Sequence, residues 1–130
     1  MDMGSREMSR GIPSGEDFAR ASAVLARRSR GLSDVRTRIL ERFKPSGEVH
    51  EFFILDCSER TFRAYVFFPR ERDIQEAEKS GLEARIRAAV MEELARVGRG
   101  TRSTADLAFE LDSHENVERK FGGDYFNRLR

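Results

Sequence analysis

Three side chains in this sequence are suited to nucleophilic or proton-transfer chemistry: Cys57, His50 and His114. A thiol attacks only as its thiolate, which needs a neighbouring base or an electropositive setting. An imidazole titrates near neutral pH and can serve as acid or base. His50 stands between Glu48 and Glu51, and the spacing brings no serine or cysteine beside it. Cys57 alternates with Phe53 and Leu55, so it is expected in or near the core, free cysteine being among the most buried residue types. An enzyme using Cys57, His50 and His114 would need all three to meet in one hollow.

The densest polar run is Asp112-Ser113-His114-Glu115, with Glu110 before it and Glu118 after. Hard cations want several oxygen ligands, and borderline metals accept imidazole with carboxylate. Asp112, His114 and Glu115 are therefore weak metal candidates. Acidic and hydroxyl residues at a helix start are also what capping and the helix dipole favour. Capping accounts for every residue except His114, so neither a metal nor a cofactor is expected. Gly98-Arg99-Gly100 lacks the GxGxxG extension and follows a helix, which argues against a phosphate loop. The run Arg63–Phe68 lacks the glycine of the aromatic strand in RNA-recognition motifs, and a β-β-α-β order is the wrong opening for that sheet.

Charge offers a better candidate. The 130 residues sum to +1, but residues 18–44 carry eight basic and two acidic side chains, or +6. Arg27, Arg28 and Arg30 cluster at the end of one expected helix. Arg38 and Arg42 lie four apart in the next, and Lys44 follows. Such a cluster can bind an acidic protein surface or release counterions from nucleic-acid phosphates. It can also be a solvated helix end.

Positioning these groups is the task of the elements. Residues 1–15 show no apolar period and carry Gly4, Gly11, Pro13 and Gly15, which predicts a disordered tail. Residues 16–45 read as a basic helical arm of two helices. In the first, Phe18, Ala21 and Leu25 share a face after Ser14, with Gly31 as the stop. In the second, Ser33 is the expected cap, and Val35, Ile39 and Phe43 recur before Pro45. From Glu51 the period becomes two, giving strands Glu51–Ser58 and Thr61–Phe68 joined near Glu59-Arg60 and ended by Pro69. Both faces of this hairpin are apolar, so both want cover, from helices or from another chain.

Asp73 with Glu76 predicts the cap of a long helix, weakened at Ser80-Gly81 and ended by Gly98. Ala105–Asp112 alternates as a half-buried strand. Asp112 or Ser113 then caps a short helix with Val117 and Phe121 on one face, Gly122-Gly123 turns, and Tyr125–Leu129 reads as a last strand. The fold class is thus α+β: two N-terminal helices, then ββαβαβ. The sheet is mixed or antiparallel, of about four strands packed against helices, with residues 46–130 as the core domain.

Composition agrees with one domain: 38% apolar, 36% charged and ten phenylalanines, at a mean hydropathy of −0.62. No run approaches the ~20 apolar residues of a membrane span. No apolar leader precedes the domain and one cysteine allows no internal disulfide, so a cytoplasmic setting is expected. Taken together, these features predict a small non-enzymatic protein-binding module, an adaptor, regulator or inhibitor. A homodimer is one way to cover the hairpin. The alternatives are nucleic-acid binding through residues 18–44 and the Cys57/His50/His114 enzyme.

Overall fold

The computed structural model describes residues 29–58 and 60–130. The expected tail over 1–15, the first arm helix, Arg27 and Arg28 lie outside them. The second arm helix forms as α1 (Leu32–Phe43). Its fourfold spacing does what the pattern implies: Val35, Ile39 and Phe43 are buried. Ser33 is not its cap. Gly31 fills that place at φ 79° without a side-chain cap, and a Cβ there would lie 2.8 Å from Val97 Cγ2. Both the backbone angle and the close approach call for glycine. α1 packs on α3 and on the first strand, so residues 32–43 are part of the compact unit Gly31–Arg130.

Strand β1 (Glu51–Ser58) pairs antiparallel with β2 (Thr61–Phe68). β2 in turn pairs parallel with β3 (Leu107–Ser113), in the order β1-β2-β3. Parallel neighbours need a long crossover, here α2 (Glu71–Ser80) and α3 (Leu82–Arg96). The long helix expected from Asp73 is two helices, because Gly81 at φ 84° breaks it. Asp73 sits inside α2 and reaches back to accept from the Arg70 N–H at 2.9 Å.

Register assigns the two faces. Phe52, Ile54, Phe62, Ala64, Val66, Phe68 and Leu107 share one face and join the buried residues of α1 and α3 in a single core. The other face carries three rows across the strands: Glu51, Phe67, Asp112; Phe53, Tyr65, Glu110; and Leu55, Arg63, Ala108.

Among the described residues the sheet has three strands, where about four were expected. After α4 (His114–Phe121), Gly122 turns the chain at φ 60°, and Asp124 accepts from the Asn127 N–H to start the one-turn helix α5 (Tyr125–Arg128). An aspartate behind two left-handed glycines caps a turn more readily than it begins a strand.

Candidate functional site

α5 lies over the first two rows of the second face. The Tyr125 ring meets Phe67 edge-on at 4.8 Å and lies 5.8 Å from Phe53. The Arg128 guanidinium stands 5.7 Å from the Phe67 ring and 5.9 Å from Tyr65. Phe67 is thereby fully buried. The third row has no such cover: Leu55, Arg63 and Ala108 are exposed.

Asp112 anchors the lid. Its carboxylate is nearly buried and accepts from Arg128 Nε at 2.6 Å, from the Ser113 N–H at 2.8 Å and from Asn116 Nδ2 at 3.0 Å. The expected cap at Ser113 is present, its hydroxyl accepting from the Asn116 N–H at 3.0 Å and donating to Glu71 at 2.8 Å. Glu115 turns away and accepts from the Glu71 N–H at 2.9 Å. Asp112, His114 and Glu115 therefore point to three different tasks. Among the described residues no group of three or more His, Cys, Asp or Glu side chains could hold a metal ion.

The two histidines do meet. His50 enters β1 with its N–H on the Phe67 carbonyl at 2.7 Å, and its ring stacks on His114 at 4.0 Å and 24°. His114, the first residue of α4, has Nδ1 2.7 Å from the Tyr125 hydroxyl and Nε2 3.3 Å from Glu118. Burial, helped by Glu51, Asp112 and Glu118, pushes the Tyr125 hydroxyl up to about 12. A phenol held neutral donates to Nδ1, and the network then assigns the ring proton of neutral His114 to Nε2, facing Glu118. His50 is held below its ordinary 6.5, first by burial, then by His114 and Lys44, with Glu51 opposing. Its ring nitrogens have no hydrogen-bond partner among the described residues. Two imidazolium charges 4 Å apart would repel by about 1 kcal/mol at the dielectric of water and about 4 kcal/mol at an effective dielectric of 20, the partial exposure favouring the lower figure.

Cys57 takes no part. It is exposed, at the register irregularity between Asp56 and Ser58, and seven residues of strand put it roughly 23 Å from His50 at about 3.3 Å per residue. The expected packing against Phe53 and Leu55 fails because that row runs out of cover. The enzyme constellation thus keeps its two imidazoles and loses its thiol. Tyr125 and Arg128, expected in a last strand, complete the site together with Asn116 and Glu71. The Asp124 cap and the fourfold His114–Glu118 spacing were the available signals.

Of the basic candidates, Arg38 pairs with Asp34 and Glu93 at 3.9 and 3.8 Å, and Arg42 with Glu92 at 3.4 Å. Lys44 closes α1, and Arg30 lies in the turn before it. At the hairpin end the balance differs. Arg60 donates to the Gly100 carbonyl at 3.2 Å and shares a concavity with Ser58, Thr61, Arg102, Ser103 and Asp106. Among the described residues, no carboxylate side chain pairs with Arg60, Arg63 or Arg102.

One consequence is spectroscopic. A neutral phenol favoured by the fold stabilises it below the ordinary 10.0, and that contribution disappears as pH rises through about 12. Phenolate absorbance should therefore show a tyrosine titrating near 12 in the folded chain. Tyr125→Phe should remove that phase. A phase that survives the substitution would assign it elsewhere.

No family model, curated protein or solved structure matches this chain.

Proposed function

We propose that this chain is a non-enzymatic protein-binding module that takes an acidic, partly apolar polypeptide segment on the uncovered row of its sheet. The observation that carries this reading is the exposed row Leu55, Arg63, Ala108, with Leu55 at 44% exposure and Arg63 paired with no carboxylate side chain among the described residues. Apolar surface next to a desolvatable guanidinium is the composition of an interface centre. The charge left over on Arg60, Arg63 and Arg102 selects an acidic partner over a basic one. Docking along the free edge of β1 is blunted at one point, since Arg36 Nε donates to the Phe52 carbonyl at 2.8 Å and its Nη2 holds Glu51 at 2.7 Å. Side-chain recognition on the face is therefore favoured over strand addition.

The nucleic-acid reading draws on the same +6 segment, but Arg38 and Arg42 already face carboxylates. Selection from a displayed peptide library should enrich sequences that interleave Asp or Glu with Leu or Phe. Leu55→Asp should weaken the selected peptide at least tenfold, about 1.4 kcal/mol, and Arg63→Glu by a similar factor. Three results would overturn the proposal: peptides indifferent to Leu55→Asp, mixed-sequence RNA bound through Arg38 and Arg42, or self-association abolished by Leu55→Asp. The last would make a second copy the occupant.

A further inference from the structure

α5 is a single turn, and its contacts among the described residues include Tyr125 packed on Phe53 and Phe67, Arg128 on Asp112 and Glu110, and the Tyr125 hydroxyl on His114 Nδ1. The last of these contacts passes through a ring that is itself stacked on His50. We propose that protonation of the His50–His114 pair loosens α5 from the sheet, so that acid extends the exposed face from its third row to Phe53 and Phe67. That this face docks a partner rests on the function proposed above, whereas the loosening itself does not.

The charges around the pair oppose a charge on His50. Glu118 stands 3.3 Å from His114 Nε2 and can offset a charge on that ring. A charge on His50 is opposed by burial, His114 and Lys44 and favoured by Glu51. Glu51 is already engaged by Arg36. The remaining charged groups nearby, Arg128 with Asp112 and Glu110, pair with one another. Both backbones are pinned, His50 by its N–H on the Phe67 carbonyl and His114 through the bonds of Ser113 and Glu115 to Glu71, so the relief open to the pair is rotation of its side chains toward solvent. Rotation of the His114 ring breaks its bond to Tyr125 and leaves α5 to the packing of Tyr125 and the contacts of Arg128.

The sign follows from the direction of the His50 shift. A group held below its ordinary 6.5 stabilises the closed arrangement above that pH, and the contribution is lost as pH falls. The test is amide hydrogen exchange of the whole chain, without any partner, at pH 7.5 and 5.5 and corrected for intrinsic rates. Protection over residues 125–129, relative to β2, is expected to fall about fivefold or more on acidification, the factor that a repulsion at the dielectric of water supplies. His50→Phe keeps a stacked ring and cannot take the proton, so its protection should not change. His50→Gln provides the same test if the phenylalanine variant folds poorly. Unchanged protection in the parent chain, an equal fall in both variants, or a fall shared by β2 would overturn the proposal. Because no partner is present, failure of the docking reading would leave these results untouched.

Discussion

Asp112→Ala is expected to lower the unfolding free energy by about 3–5 kcal/mol, the cost of removing one member of a buried ion pair. The Asp112 side chain is 10% exposed and that of Arg128 17%, and Arg128 would keep only Glu110, at 3.9 Å, as an ion-pair partner among the described residues. The same deletion removes the acceptor of the Ser113 N–H and of Asn116 Nδ2. A buried donor left unpaired costs more than the net worth of the bond it had. For a unit of about 100 residues each kcal/mol moves Tm by roughly 4–8 °C, so a fall of about 10 °C or more is expected. Asp112→Asn, which keeps an acceptor, should cost roughly half as much. Urea unfolding of the three proteins decides it, with Arg128→Met and Asp112→Ala/Arg128→Met completing a double-mutant cycle. The double variant should be more stable than Asp112→Ala alone, because it leaves no guanidinium stranded. If Asp112→Ala costs under about 1 kcal/mol, in the range of an exposed ion pair, α5 frays freely and the anchor assigned to Asp112 is wrong.

The covered face of the sheet was legible because its evidence is local. Alternation in Phe52, Ile54 and in Phe62, Ala64, Val66, Phe68 assigns one face, and Val35, Ile39 and Phe43 supply the helix that covers it. Ser113 was readable as a cap for the same reason. The other face was not, since its state depends on what lies over it. Cys57, Leu55 and Phe53 alternate identically, yet the first two are exposed and Phe53 is half-covered, because α5 reaches only two rows. α5 itself was misread as a strand, since Tyr125–Leu129 is too short for a helical period to show. The histidine pair was beyond reach for a different reason. His50 and His114 come from opposite halves of the chain, and their meeting requires β3 to pair in parallel beside β2, which no short-range pattern specifies.

Phe67→Ala tests the lid from beneath. Phe67 is 0% exposed although it faces away from the main core, and its burial depends on Tyr125, Arg128 and Phe53. Truncating a buried phenylalanine costs about 3–5 kcal/mol when its surroundings cannot collapse. Here they can collapse in part, since α5 is a single turn, so the lower end of that range is expected. Leu55→Ala, two rows along the same face, should change stability by under about 0.5 kcal/mol, because surface positions away from special features do little. That contrast separates the sheet face into a half that holds the fold and a half available to a partner. Chemical denaturation measures both, and hydrogen exchange should show residues 125–129 of the Phe67→Ala chain deprotected while β2 stays closed. Equal costs at Phe67 and Leu55 would mean that the third row is as structural as the first. The docking surface would then have to be sought elsewhere on the molecule.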